Sequence, residues 1–333
     1  MGSDAYASDP IQIPLTQETK QMLKFILRRL LYGVILVLVV SALSFLLLYS
    51  DGTGIARNIL GGEATNQEVA QKVVALGLNH SVVSEYWSWL RHAVTGNFGT
   101  SWFTDQPVGS MVTSRLSVTL NLVIGATLLS AVISVALGLA AALKRGWVDR
   151  LLQLIALLGF AVPGYLVALF LVENFAIKNH WFSPTGYTSF STSPHEWLST
   201  VTLPIIALSL GGIAGISQQI RSSVIDCLGQ DFVRTLRTRG LSSRRIVLRH
   251  VLRNAGGPAL SIMALQFVGM LGGVVLVETI FAIPGIGQIS VTSTTERDIP
   301  VVMALVVVTA IIVIVLNLVV DIVQGILNPK VRL

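Results

Sequence analysis

Runs of about twenty apolar residues, each long enough to cross a hydrocarbon core about 30 Å thick as an α-helix, recur six times along this chain. They cover roughly residues 30–49, 118–143, 151–175, 201–220, 259–281 and 301–326. Six crossings return the chain to its starting side. Two of the intervening segments carry helical patterns of their own. In residues 51–114, Thr65 with Glu68 fits a capping box that opens a helix through Val69, Val73, Val74 and Leu76. A second helix carries Tyr86, Trp87, Trp89 and Leu90 at helical spacing, with Trp87 and Trp89 read as an interfacial belt or local core. Between the fourth and fifth runs, residues 231–240 read as a short helix ended by Gly240, and Ser242 can cap another from Ser243 to about Asn254.

Composition strengthens the membrane assignment. Hydrophobic residues make up 53%, charged residues 12%, and the mean hydropathy is +0.73, far from an average soluble domain. Charge then fixes an orientation. Residues 221–258 hold Arg221, Arg234, Arg237, Arg239, Arg244, Arg245, Arg249 and Arg253, none of which could sit cheaply in hydrocarbon. Lys20, Lys24, Arg28, Arg29, Lys144, Arg145, Arg150, Lys330 and Arg332 fall on the same side. Arg57, Lys72, Arg91, Arg115, Lys178 and Arg297 alone fall on the other, six of 23 basic residues. Both termini are therefore expected in the cytoplasm, and topology accounts for the net charge of +6 with no nucleic acid partner. The first run is long, follows a polar tail and shows no small-x-small cleavage site near Ser50, so it reads as a retained anchor. The single Cys227 permits no intrachain disulfide, and no metal-ligand spacing occurs.

The expected fold is an all-α integral membrane protein. It has a cytosolic tail at 1–23, a first transmembrane helix at 24–50, an extracytoplasmic helical insert at 51–114, and a core of five further transmembrane helices at 115–333. A two-helix cytoplasmic loop occupies 221–258. Within the spans, Gly211 with Gly215 and Gly269 with Gly273 form GxxxG pairs that predict close helix packing. Pro163-Gly164 can kink the third span, and Pro204 falls in the first turn of the fourth, where proline is tolerated. Glu173, Glu278 and Asp321 are the acids near membrane depth, and none of the five histidines falls in a predicted span.

The run DFVRTLRTRGLSSRRIVLRHVLRNAGGP resembles the coupling loop of permease subunits in binding-protein-dependent ABC importers, in the peptide/nickel branch. Leu236, Thr238 and Arg239 stand where that branch more often has Ala, Ala and Lys. Residues 96–102 (GNFGTSW) and 277–287 (VETIFAIPGIG) resemble two further segments of the family. The resemblance implies that Asp231, Phe232, Val233, Arg234, Leu236, Arg237, Arg239, Gly240 and Leu241 couple the chain to an ATP-binding subunit, with Phe232, Val233 and Leu236 as the buried anchor. It implies a translocation path or gate at Glu278, Phe281 and Pro284; the alternative for Glu278 is a hydrogen bond that holds the outer loop. The implied partners are a second homologous permease chain, two ATP-binding subunits, an extracytoplasmic substrate-binding protein and the lipid bilayer of a bacterial or archaeal inner membrane.

The chain has no G-x-x-x-x-G-K-[ST] loop, no H-E-x-x-H and no G-x-S-x-G. It is therefore expected to be non-catalytic and to bind no cofactor, with ATP and Mg held by the partner subunits. Di- or oligopeptides are the implied cargo, with nickel complexes or another small solute as the alternative. A secondary carrier would leave the basic two-helix loop unexplained, and an embedded enzyme would need a cluster of reactive groups that the isolated acids do not supply.

Overall fold

The computed structural model describes residues 15–49, 51–144 and 146–327. The predicted tail before residue 15, with Arg145, Lys330 and Arg332, lies outside the described residues. Helix α1 (Leu15–Tyr49) leads into three short helices, α2 (Gly52–Leu60), α3 (Asn66–Ala75) and α4 (Val82–Val94). Then come α5 (Val108–Leu143), α6 (Trp147–Ala161), α7 (Gly164–Leu171, continued as a π-helix over Val172–Lys178) and α8 (Pro194–Leu228). The small α9 (Asp231–Thr238) precedes α10 (Ser243–Arg245), which passes through a π-helical stretch, Ile246–Val251, into α11 (Leu252–Ile280). Helices α12 (Ile286–Glu296) and α13 (Ile299–Leu327) complete the chain. Among the described residues the one extended pairing is an isolated bridge between Thr100 and Pro107.

Among the described residues five helices are long and apolar enough to cross a membrane, or six if α6 and α7 count together as one crossing. Those two meet at 91°, a far sharper bend than a kink. The cause is local. Pro163 has no N–H to donate and forces Val162 into an extended conformation (φ −88°, ψ 119°), so α6 stops and a new helix starts. Other boundaries move as well. Helix α8 starts at Pro194, where the Ser193 side chain accepts from the Glu196 amide, so Pro204 lies buried inside the helix and not in its first turn. It also runs on to Leu228 because Ile220, Val224 and Cys227 keep an apolar face buried, which places Arg221 within the helix and shortens the loop after it. The predicted second loop helix is the near end of the long helix Ser243–Ile280, not a separate element.

The capping box of α3 is formed as expected: Thr65 accepts from the Glu68 amide, and Glu68 accepts from the Thr65 amide at 2.8 Å. These short helices pack over the ends of α1 and α13, where Phe45, Tyr49, Ile55, Leu78, Ile299 and Met303 form one buried cluster with Tyr86 and Trp89 against it. Trp87 points away and is exposed.

The centre of the bundle is made by α5, α7, α8 and α11 around Leu122, Ala126, Ala168, Ala207, Phe267 and Met270. Close approach depends on glycines outside the predicted pairs. A Cβ on Gly125 would lie 2.6 Å from Ile205, one on Gly138 2.8 Å from Ile220, and one on Gly212 2.8 Å from Met270. Around Gly211, Gly269 and Gly273 there is open space instead. Those three glycines mark a groove, not a helix contact.

Candidate functional site

Helix α9 is a small amphipathic knob set on the end of the core where α8 stops and α11 begins. Val233 is fully buried against Val224, Cys227, Ile246 and Val251, and Phe232, Leu236 and Leu241 pack partly buried around it. Asp231, Arg234, Arg237 and Arg239 remain exposed. Of the three residues expected to anchor a partner, Val233 thus has its side chain inside the chain's own core, and Phe232 and Leu236 offer only what that core leaves uncovered. The glycine signal is explained by backbone geometry. Gly240 adopts φ +79°, its amide donates to the Arg237 carbonyl at 3.0 Å, and the Leu241 amide donates to the Leu236 carbonyl at 3.3 Å. These two bonds form a Schellman C-cap, with Leu236 and Leu241 as its hydrophobic contact. The turn presents three guanidinium groups on a stalk that packing holds in place.

A groove of about 390 Å³ runs along α7, α8 and α11. Gly164 and Tyr165 at the bend, Gly211 on α8, and Gln266, Gly269 and Gly273 on α11 line it, and no charged side chain does. Toward the α9 end of α8 Gln266 also lines a second hollow with Gly215, Gln218, Gln219, Ser222 and Arg221. A glutamine amide facing hydrocarbon would be costly, so such a face requires water, a partner or a solute.

Near the far end of α11 Glu278 does not face this groove. It is fully buried and accepts from Thr119 Oγ1 at 2.5 Å, from the Gln288 amide at 3.1 Å and from the Gly287 amide. Thr119 in turn accepts from the Ile286 amide at 2.8 Å. One carboxylate therefore ties α5, α11 and the start of α12 together. A Cβ on Gly285 would run into that carboxylate, and one on Gly287 would strike both it and Val275, which gives the two glycines of the PGIG sequence a packing reason. Phe281 is buried in the central core and Pro284 is exposed beside it.

A second junction escaped sequence reading. Asp298, buried just before α13, accepts from Ser101 Oγ and from the Trp102 amide, so the GNFGTSW segment is fastened to α13 across almost two hundred residues. Burial pushes the Asp298 carboxyl above its ordinary range, opposed by the bonds from Ser101, Trp102 and Val301. The neighbouring Arg297 pairs with Asp51, which caps α2, and this hydrogen bond draws the Asp51 carboxyl below its ordinary range. No motif linked Glu278 to Thr119 or Asp298 to Ser101. A serine or threonine in an apolar segment is the only sequence trace of such partners.

At the opposite end Arg221 donates from Nε and from a terminal nitrogen to the two oxygens of Asp149, at 2.6 and 2.7 Å. Gln153 donates to the same carboxylate. Lys178 pairs with Glu173 at 3.2 Å and Arg29 with Asp321 at 2.9 Å, so these two acids are partnered as well. Among the described residues no cluster of histidine, cysteine or acid could hold a metal.

Comparison with known proteins gives a consistent result. Residues 133–333 match the family of binding-protein-dependent transport system inner membrane components, and residues 22–123 match the N-terminal family of the same membrane components. The probable peptide ABC transporter permease protein y4tP of Sinorhizobium fredii is 35% identical over 92% of this chain and 99% of its own. The glutathione transport system permease protein GsiC of Salmonella paratyphi A is also 35% identical, over 93% of this chain and 99% of its own. A structure of the MetNI methionine ABC transporter shares the fold, with a TM-score of 0.53 at 13% identity, over 66% of this chain and 96% of that one. The chain therefore belongs to the binding-protein-dependent transport system inner membrane component family, in its peptide branch, and is a multi-pass membrane permease subunit of an ABC importer.

Proposed function

We propose that this permease carries di- or oligopeptides through a path whose near half is the groove along α7, α8 and α11, and that α9 is the handle by which ATP-binding subunits move it. The observation that carries this reading is the α9 turn: exposed Arg234, Arg237 and Arg239 on a helix whose apolar side is sunk into the end of the core. Both termini then lie in the cytoplasm, α6 and α7 together make the third of six crossings, and α2 to α4 form the extracytoplasmic insert. ATP and Mg are bound, and the ATP is hydrolysed, on two partner subunits. A second, homologous permease closes the groove, and an extracytoplasmic binding protein delivers the cargo, with the loops of the insert as its docking side. Closure of the ATP-binding subunits draws the knobs together, tilts α8 and α11, and opens the path outward; hydrolysis resets it.

Peptide cargo is supported by the relatives named for peptide and glutathione transport and by the groove itself. Its lining is uncharged, and its polar groups are the Gln266 amide and the Tyr165 hydroxyl, which suit the neutral donors and acceptors of a peptide backbone whatever its side chains. Uptake of a labelled dipeptide by cells carrying the whole importer tests both halves. Gly240→Val should abolish uptake with membrane insertion intact, and Gly269→Leu should block uptake while leaving the ATP-binding subunits attached. Unimpaired uptake in the first variant contradicts the handle, and unimpaired uptake in the second contradicts the path.

A further inference from the structure

We propose that the groove between α1 and α13 is a binding site for one anionic phospholipid. Helix α1 stands at the edge of the bundle, and Lys24, Arg28 and much of its apolar surface are exposed. Its contact with α13 is made by two antiparallel stripes. Arg29 pairs with Asp321 at one end, and one turn deeper Gly33 lets Ile314 approach so closely that a Cβ there would lie 2.8 Å from the isoleucine. Beside this contact a hollow of about 140 Å³ opens sideways, lined by Arg29, Tyr32, Leu36 and Asn317 among others.

Asn317 is the telling residue. It is exposed on a helix otherwise built to face hydrocarbon, and it has no hydrogen-bonding partner among the described residues. An amide in that place requires a polar ligand from outside the chain. It lies one turn, about 6 Å, deeper than Asp321, and Tyr32 lines the same hollow. A phospholipid offers its groups in this order with depth. Its phosphate meets the cationic cluster, its ester carbonyls reach the Asn317 amide and the Tyr32 hydroxyl, and an acyl chain lies along Leu36 and Ile314.

The charge selects the headgroup. Arg29 pairs with Asp321, and Lys24 and Arg28, exposed on the same helix, have no carboxylate partner among the described residues. A net-negative headgroup is favoured over a zwitterionic one, by about fivefold for each cation it meets near the membrane surface. This site is separate from the α7, α8 and α11 groove and does not depend on its role.

The test is native mass spectrometry of the intact importer in detergent, with dioleoyl phosphatidylglycerol or dioleoyl phosphatidylcholine added at equal concentration. Phosphatidylglycerol should stay bound through gas-phase release of the micelle and phosphatidylcholine should not. Arg28→Gln should lower phosphatidylglycerol retention about fivefold, and Asn317→Leu should lower it too, in complexes that melt at the unmodified temperature. Equal retention of the two lipids, or unchanged phosphatidylglycerol retention in either variant, overturns the proposal.

Discussion

Arg221 of α8 grips both carboxylate oxygens of Asp149 of α6 at once, and this fork-to-fork pair fastens α6 to α8. Because Pro163 separates α6 from α7, the two helices are held independently: α6 by the ion pair, α7 by its packing in the central core. Two charges at this depth are stable together and costly apart. Arg221→Met alone should destabilise the purified complex by about 1–3 kcal/mol, less than a deeply buried pair because both groups keep some solvent. Pairing it with Asp149→Asn should recover part of that loss. Thermal unfolding of the two single variants and the double variant measures the coupling, and strictly additive losses would contradict it.

Gly240 needs a left-handed backbone, which costs a residue with a Cβ about 1–2 kcal/mol and a β-branched one more. Asparagine visits that region most readily after glycine. Uptake should therefore fall in the order Gly240, Gly240→Asn, Gly240→Val, with the valine variant inactive. Equal uptake by the asparagine and valine variants would show that the turn is not what matters.

The α9 turn was legible in the sequence because a Schellman cap is a local device: glycine, the leucines on either side of it and the helix period are all within ten residues. The capping box at Thr65 was legible for the same reason. What depended on distant neighbours was not. The GxxxG spacing of Gly211 and Gly269 was correctly seen, but spacing cannot say whether a glycine meets a helix or a groove. Glycines that do admit a neighbour, Gly33, Gly125, Gly138 and Gly212 among them, are chosen by what stands opposite them. Pro163 announced a distortion, and the structure makes it a full break because Val162 is held extended in front of the proline.

Glu278 acts as a fastener in this structure, and its loss should be felt as stability before it is felt as transport. Glu278→Gln keeps one acceptor for the Thr119 hydroxyl but puts an N–H against an amide donor, so about 1–3 kcal/mol should be lost. Gly285→Ala should cost a similar amount, since its Cβ meets the same carboxylate. Denaturation of the purified complex checks both. Unchanged stability with lost uptake would instead favour a direct part for Glu278 in the path.

Asp51 and Asp298 shift in opposite directions, and their responses to acid should separate. The Asp298 carboxyl is raised by burial, so its folded form takes up a proton before the unfolded chain does, and acidification toward its ordinary value, about 3.9, favours the folded junction. The Asp51 carboxyl is lowered by Arg297, so its contribution is fully present above that ordinary value and disappears only as pH falls through its lower folded value. Hydrogen exchange at the Gly54 amide, which Asp51 caps, should thus stay slow after Asp298 has been neutralised and speed up only in stronger acid. Early loss of protection at Gly54 would contradict the assignment.

The handle is best tested by site-specific cross-linking in the native membrane. Cys227 is the chain's single cysteine and is buried, so Arg237→Cys on the exposed side of α9 supplies the one accessible thiol. A short thiol-to-amine cross-linker should join that position to an ATP-binding subunit, with a yield that changes when ATP is trapped unhydrolysed, and a cysteine at the outer Thr292 should give no such product. Labelling of Arg237→Cys by a water-soluble maleimide without any adduct to an ATP-binding subunit would contradict the account.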